Sequence, residues 1–130
     1  MADLAYLVDA GIALIVNNIL TDSIYKYVSW GIGATGAAVG NTAMETASAP
    51  VNTTAATGTL SKATTNTTDD TYKVVVTITA GGALAITEVG VFNQATLAGA
   101  TMFMHGTFSA MNLSSGDSIE FTINHVFNQA

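Results

Sequence analysis

The chain has no cysteine, no arginine, one proline and three lysines. Without cysteine it can build neither a disulfide framework nor a thiolate nucleophile or metal site. Without arginine it lacks the usual stabiliser of phosphates and oxyanions. Lys26, Lys62 and Lys73 are scattered and stand against nine acidic residues, for a net charge of −6. Nucleic-acid backbones need clustered positive charge, and so do anionic membrane surfaces. Neither partner class is expected. Charge of any sign is scarce, at 9% of residues against about 25% in ordinary soluble domains. Long hydrophobic runs are missing as well. The stretch Leu4 to Leu20 is interrupted by Asp9, Asn17 and Asn18, too short and too polar for a membrane span. Asp3 stands where a signal peptide would carry lysine. The expected place of synthesis and assembly is a cytoplasm.

What is present is one domain's worth of chain, 130 residues, rich in Ala, Thr, Ser, Asn and Gly. Its hydrophobic period changes once, dividing residues 1–23 from 24–130. Asp3 followed by Leu4, Leu7, Val8, Gly11, Leu14, Ile15 and Ile19 has helical spacing. A helix over 3–20 is expected, capped by Asp3, with Leu4, Leu7, Leu14, Ile15 and Ile19 forming the face that packs on the domain or a neighbouring subunit. From Ile24 the period is two. Strands are expected at Ile24–Trp30, near 57–67, at Tyr72–Thr79, Leu84–Asn93, Thr101–Phe108 and Ser118–Phe127. Val74, Val76 and Ile78 should share one face, and Leu84, Ile86, Glu88, Gly90 and Phe92 another. Ala80-Gly81-Gly82-Ala83 reads as a hairpin turn, Ser114–Asp117 as a further turn, and Thr42–Glu45 as a short helical turn ended by Pro50. This pattern predicts a mainly β protein: an antiparallel β-sandwich or jelly-roll-like barrel with one N-terminal amphipathic helix.

Candidate chemistry is sparse. The glycines of Gly31-Ile32-Gly33-Ala34-Thr35-Gly36 lack the Gly-Lys-Ser/Thr ending of a phosphate loop and the third Rossmann glycine. An ordinary turn is expected. His105 and His125 lie inside predicted strands with no metal-binding spacing around them, and read as satisfied structural histidines. Asp69-Asp70 lacks the alternating acids and closing glutamate of a calcium loop, and reads as a solvated turn. Glu88 and Glu120 would form an acid/base pair only if adjacent strands met, and read as strand-surface carboxylates. Tyr25, Tyr27 and Trp30 would make a sugar platform if exposed and core if not. No Gly-x-Ser-x-Gly motif is present. Neither an enzyme nor a bound cofactor or metal is expected.

The composition points elsewhere. A monomer's surface ordinarily carries charges at about 25–35%, which this chain cannot supply. A surface of small neutral residues desolvates cheaply and suits extensive subunit contact. Lysine, the usual guard of strand edges, is nearly absent. The reading is an assembly component.

A resemblance agrees with that reading. Trp30-Gly31-Ile32-Gly33-Ala34-Thr35-Gly36 through Thr42-Ala43-Met44-Glu45 is similar to a segment of small structural proteins of tailed bacteriophages. Ala85-Ile86-Thr87-Glu88-Val89-Gly90-Val91-Phe92-Asn93 resembles a strand of the same proteins. The likeness continues through Gly99-Ala100-Thr101-Met102, Phe108-Ser109 and Gly116-Asp117-Ser118-Ile119-Glu120-Phe121-Thr122-Ile123. Gly31, Gly33, Glu45, Glu88, Gly90, Phe92 and Asp117 are the motif positions. An arginine that relatives carry has no counterpart in Thr46–Pro50. The resemblance implies a virion structural protein. Acidity and the lack of arginine favour a decoration (cement) protein on the outer surface of the capsid. Its implied partners are the major capsid protein and its own copies in a homotrimer. The alternatives are a tail-fibre or baseplate module, for which no heptad stalk appears, and a host-surface glycan-binding domain, whose exposed aromatics are not indicated.

Overall fold

The computed structural model describes residues 5–33, 35–45 and 55–128. Among these, one helix, α1 (Asp9–Asp22), precedes seven strands. They are β1 (Tyr27–Gly31), β2 (Ala56–Thr57), β3 (Thr59–Ala63), β4 (Thr71–Thr79), β5 (Leu84–Phe92), β6 (Met102–Leu113) and β7 (Ser118–Val126). The strands form two antiparallel sheets, ordered β2-β1-β5-β6 and β3-β4-β7. The architecture is the expected sandwich. It is not a closed barrel, because β6 and β7 end their own sheets without pairing to each other.

Alternation explains the core. Tyr72, Val74, Val76 and Ile78 on β4 face Val28 and Trp30 on β1 and Val89 and Val91 on β5. Trp30 and Phe121 meet edge to face, with ring centroids 6.4 Å apart. Each such Val or Ile, fully buried, contributes about 1.5–3 kcal/mol.

β5 departs from simple alternation. Its pairing with β6 shifts register between Ile86 and Glu88, and the core takes Ile86 and then Val89 and Val91. Glu88, Gly90 and Phe92 therefore turn to the opposite face of the sheet from Val89 and Val91. The expected single face from Leu84 to Phe92 is split by this irregularity.

The two long sides of the sandwich differ. On one, β2 and β3 are separated by Gly58 alone, whose N–H donates to the Lys26 carbonyl at 2.8 Å. A Cβ there would lie 2.7 Å from Val74 Cγ1 and 3.0 Å from that carbonyl, so only glycine lets the chain step between sheets. The expected strand near 57–67 is thus two short strands. α1 packs on this side through β3 and β4. Lys62 Nζ donates to Asn17 Oδ1 at 2.9 Å. The other side, between β6 and β7, has no covering element among the described residues.

The helix begins later than its spacing suggests. Val8 is its N-cap, extended and without a side-chain cap bond, and residues 5–8 are not helical; Asp3 and Leu4 lie outside the described residues. Ser23 ends it in a left-handed conformation (φ 55°), donating its N–H to the Ile19 carbonyl. The packed face is Ile12, Val16, Ile19 and Leu20. Leu14, at 61% exposure, and Leu7, at 38%, lie off it; Ile15 is half-buried. Of the residues expected on the packing face, Ile19 packs on the domain, while Ile12 and Val16 take the buried positions of the helix.

The expected hairpin at Ala80–Ala83 and the expected turn at Ser114–Asp117 both cross between sheets. β4 and β5 do not pair, so Ala80–Ala83 is a crossover, and Ser114–Asp117 carries β6 to β7 likewise. The two crossovers bind each other: Ala80 N–H donates to the Asp117 carbonyl (2.7 Å) and Gly116 N–H to the Ala80 carbonyl (2.8 Å). Asp117 Oδ2 accepts the Ser114 N–H within its own turn. β6 also runs five residues past the expected Phe108, to Leu113. Thr42–Glu45 forms bends rather than a helical turn, and Pro50 lies outside the described residues.

Candidate functional site

Beyond β1 the chain turns back over the face of β5 that carries Glu88. Gly31 pairs with Glu88 across the β1–β5 ladder, and two residues later Gly33 meets the same side chain. Glu88 is fully buried. Its Oε1 accepts the Gly33 N–H at 3.0 Å, and its Oε2 accepts the Glu45 N–H at 3.1 Å. One carboxylate on a strand thus pins both ends of the 33–45 segment. A Cβ on Gly33 would stand 2.6 Å from Glu45 Cβ and 2.7 Å from Glu88 Oε1, so the close approach requires glycine. The neighbouring Thr87 hydroxyl donates to the Gly33 carbonyl. Glu45 holds the inside of the segment, its carboxylate accepting the N–H and hydroxyl of Thr35.

His105 completes the cluster from β6. It pairs with Gly90, which places it diagonally beside Glu88 on the same face. Its Nε2 lies 2.9 Å from Glu88 Oε2 and its Nδ1 2.8 Å from Asn41 Oδ1. That Asn41 oxygen also accepts the Ala38 N–H. Both ring nitrogens are thus within hydrogen-bond distance of side-chain oxygens. The His105 side chain is only 5% exposed. Both nitrogens are engaged inside the protein. The chemistry of this cluster is to hold a loop.

The motif residues largely converge here. Gly31, Gly33, Glu45 and Glu88 share the cluster, and Gly90 lies against Met44 Sδ and the Phe92 ring, leaving no room for a Cβ. Asp117 is elsewhere, at the crossover end. Glu88 is not the strand-surface carboxylate its alternation suggested, and Glu120 is exposed on the other sheet, so the two form no pair. Sequence reasoning missed Asn41 and the partnership of His105 with Glu88. The available signal was a buried-strand acid in a chain with almost no cations to pair with it.

A second buried carboxylate corrects another expectation. Asp70 is fully buried rather than solvated. Its oxygens accept the N–H groups of Thr65, Asn66 and Thr67 and the Thr71 hydroxyl, at 2.8–2.9 Å. Burial alone would raise its pKa, but the amide and hydroxyl donors outweigh it and hold the carboxyl well below the usual range. Asp69 is the outward member, paired with Lys62 at 2.7 Å. His125 is exposed, its ring edge to face with Phe127. No sugar platform forms: Trp30 is core, and Tyr25 stacks on Phe103 at 4.7 Å.

The remaining feature is a groove of about 560 Å³ at the open β6/β7 side. It is lined by Val89 and Val91 of β5, Met102 and Met104 of β6, Ile123 of β7 and, before them in the chain, Val39. The 37–41 stretch that borders it is tied to His105 and Glu88 through Asn41. Among the described residues no group of three or more His, Asp or Glu is placed to hold a metal, and no helix is long and apolar enough to cross a membrane. Comparison with family models, curated proteins and solved structures finds no match to this chain.

Proposed function

We propose that this chain is a structural protein of a tailed-bacteriophage virion: a decoration protein that binds the outside of the head and stabilises the shell. Its partners in this reading are the major capsid protein and its own copies in a homotrimer, assembled in the host cytoplasm. The observation that carries the reading is β6. It is a twelve-residue strand at a sheet edge, Met102–Leu113, with no lysine, no proline and no acid. Edges of that length are normally guarded by charge or proline, and an unguarded one is a template for pairing with another chain. The phage resemblance of the 30–45 and 85–123 segments supplies the setting. The reading assigns no catalytic step and no cofactor.

The test is to add purified protein to heads that lack it and measure occupancy from low to molar sodium chloride. With so few charges, attachment rests on apolar burial, at about 25 cal/mol per Å², and on hydrogen bonds. Such contacts persist where long-range charge attraction is screened. Occupancy maintained at high salt supports the reading. Occupancy that collapses points instead to an electrostatic grip by Asp and Glu. Binding to tails but not heads transfers the protein to the tail.

A further inference from the structure

The groove between β6 and β7 is open, and the chain carries an exposed apolar segment elsewhere. Residues 5–8, which precede α1, are non-helical, and Val8 is extended at φ −82°, ψ 163°. Tyr6 is 73% exposed and Val8 62%. Two large apolar side chains on adjacent alternate positions thus project from the domain that bears them. We propose that this segment of one copy lies in the β6/β7 groove of a second copy, adding a strand to the open edge of β6.

Position, shape and charge each support this pairing. α1 packs on β3 and β4, so the segment leaves from the closed side of the sandwich, while the groove opens beside β7, at the other edge of the three-stranded sheet. Leu7 folds back towards the helix, its Cδ1 2.9 Å from where a Gly11 Cβ would stand, so the segment is anchored there. The contact is therefore head to tail between copies, a geometry that closes into a ring when the rotation allows. Four extended residues span about 13 Å, close to the groove wall formed by Met102 to Gly106. An added strand would pair its backbone with β6 while alternate side chains, Tyr6 and Val8, enter the pocket over Val89 and Val91. The chain carries a net charge of −6, so two copies repel in general. Residues 4–8 contain no acidic or basic residue and β6 contains no lysine or acid, so neither surface adds to that repulsion. The proposal names the self-contact within the assembly reading above, but does not depend on a phage head.

The absence of cysteine gives a clean test, since each introduced thiol is the only one in its chain. Val8→Cys and Met104→Cys proteins are purified separately, mixed and oxidised. Tyr6→Cys and Asn124→Cys serve as a second pair should either first variant lose its cooperative melt. A disulfide needs Cβ atoms about 3.5–4.5 Å apart. The expected result is a covalent dimer from the mixture and from neither protein alone. Met104→Cys linking to itself overturns the proposal and gives the edge to a second β6. An internal disulfide in the Val8→Cys, Met104→Cys double variant overturns it by seating the segment in its own groove. Monomer throughout at high concentration overturns it as well. None of these outcomes involves heads, so they are separable from the occupancy test.

Discussion

His105 Nε2 and Glu88 Oε2 lie 2.9 Å apart, an acid and a base from neighbouring strands meeting where water does not reach. Breaking a buried pair by deleting one member strands the other, at about 3–5 kcal/mol. Glu88→Ala should lose stability on that scale, because it also leaves the Gly33 and Glu45 amides without this acceptor. Glu88→Gln keeps one acceptor oxygen and should lose less. Urea unfolding of both variants checks the order. Equal, small losses would mean the loop is held by something other than this carboxylate.

Helix packing gives a contrast between two neighbouring residues. Val16 is fully buried and Leu14 is 61% exposed. Val16→Asp should be destabilised by several kcal/mol, as an unpaired charge enters the core. Leu14→Asp should stay within about 0.5 kcal/mol of the parent. Denaturation midpoints measured side by side test this, and a large loss in Leu14→Asp would return leucine to the packed face.

Asp70 predicts a pH dependence of known sign. Its carboxyl is held below its ordinary value in the folded protein. The stability it contributes is complete above the unfolded carboxylate pKa of about 3.9 and is lost as pH falls through the depressed folded value. Asp70→Asn should melt several degrees below the parent at pH 6, with the gap closing as pH is lowered towards 2. A gap that stays constant with pH would show that the loss comes from packing and not from the charge.

Tyr72 titrates in the opposite sense. Burial, with a smaller contribution from Tyr25, raises its phenol to about 12, and its hydroxyl donates to the Tyr25 carbonyl at 2.9 Å. The neutral form is the one the fold favours, so this contribution is complete below the unfolded pKa of about 10 and lost as pH rises from there through 12. Ultraviolet titration should show one tyrosine ionising last, and Tyr72→Phe should remove that step. Removing the hydrogen bond should cost about 1 kcal/mol.

The strands were legible because alternation is a local signal: Val74, Val76 and Ile78 face one way whatever lies opposite. Sheet membership was not, since Ala80-Gly81-Gly82-Ala83 has the composition of a hairpin and only the partners of β4 and β5 reveal a crossover. The motif glycines and glutamates could be picked out, but not their meeting. Gly33 and Glu88 are 55 residues apart, and no periodicity spans that distance. His105 was read as hydrogen-bonded and structural, while its partners depended on a β5–β6 register that shifts within the strand. Helix orientation depends on a different balance. Ile12 and Val16 are β-branched and poor helix formers, yet burial against β3 and β4 outweighs propensity.

On one side Gly58 alone separates strands of the two sheets; on the other, β6 and β7 share no ladder and are linked only at one end, through Ser114–Asp117. The consequence is an uneven resistance to breathing. Separation along the β2/β3 side would have to tear pairing from both sheets at once, whereas the β6/β7 side can widen while every ladder stays intact. The sandwich is therefore a book with its spine at Gly58, and a neighbour inserted at the fore-edge would clamp the pages shut. Amide hydrogens of β6 and β7 should accordingly exchange fastest in the isolated chain and slow most on assembly, while those of β4 change little.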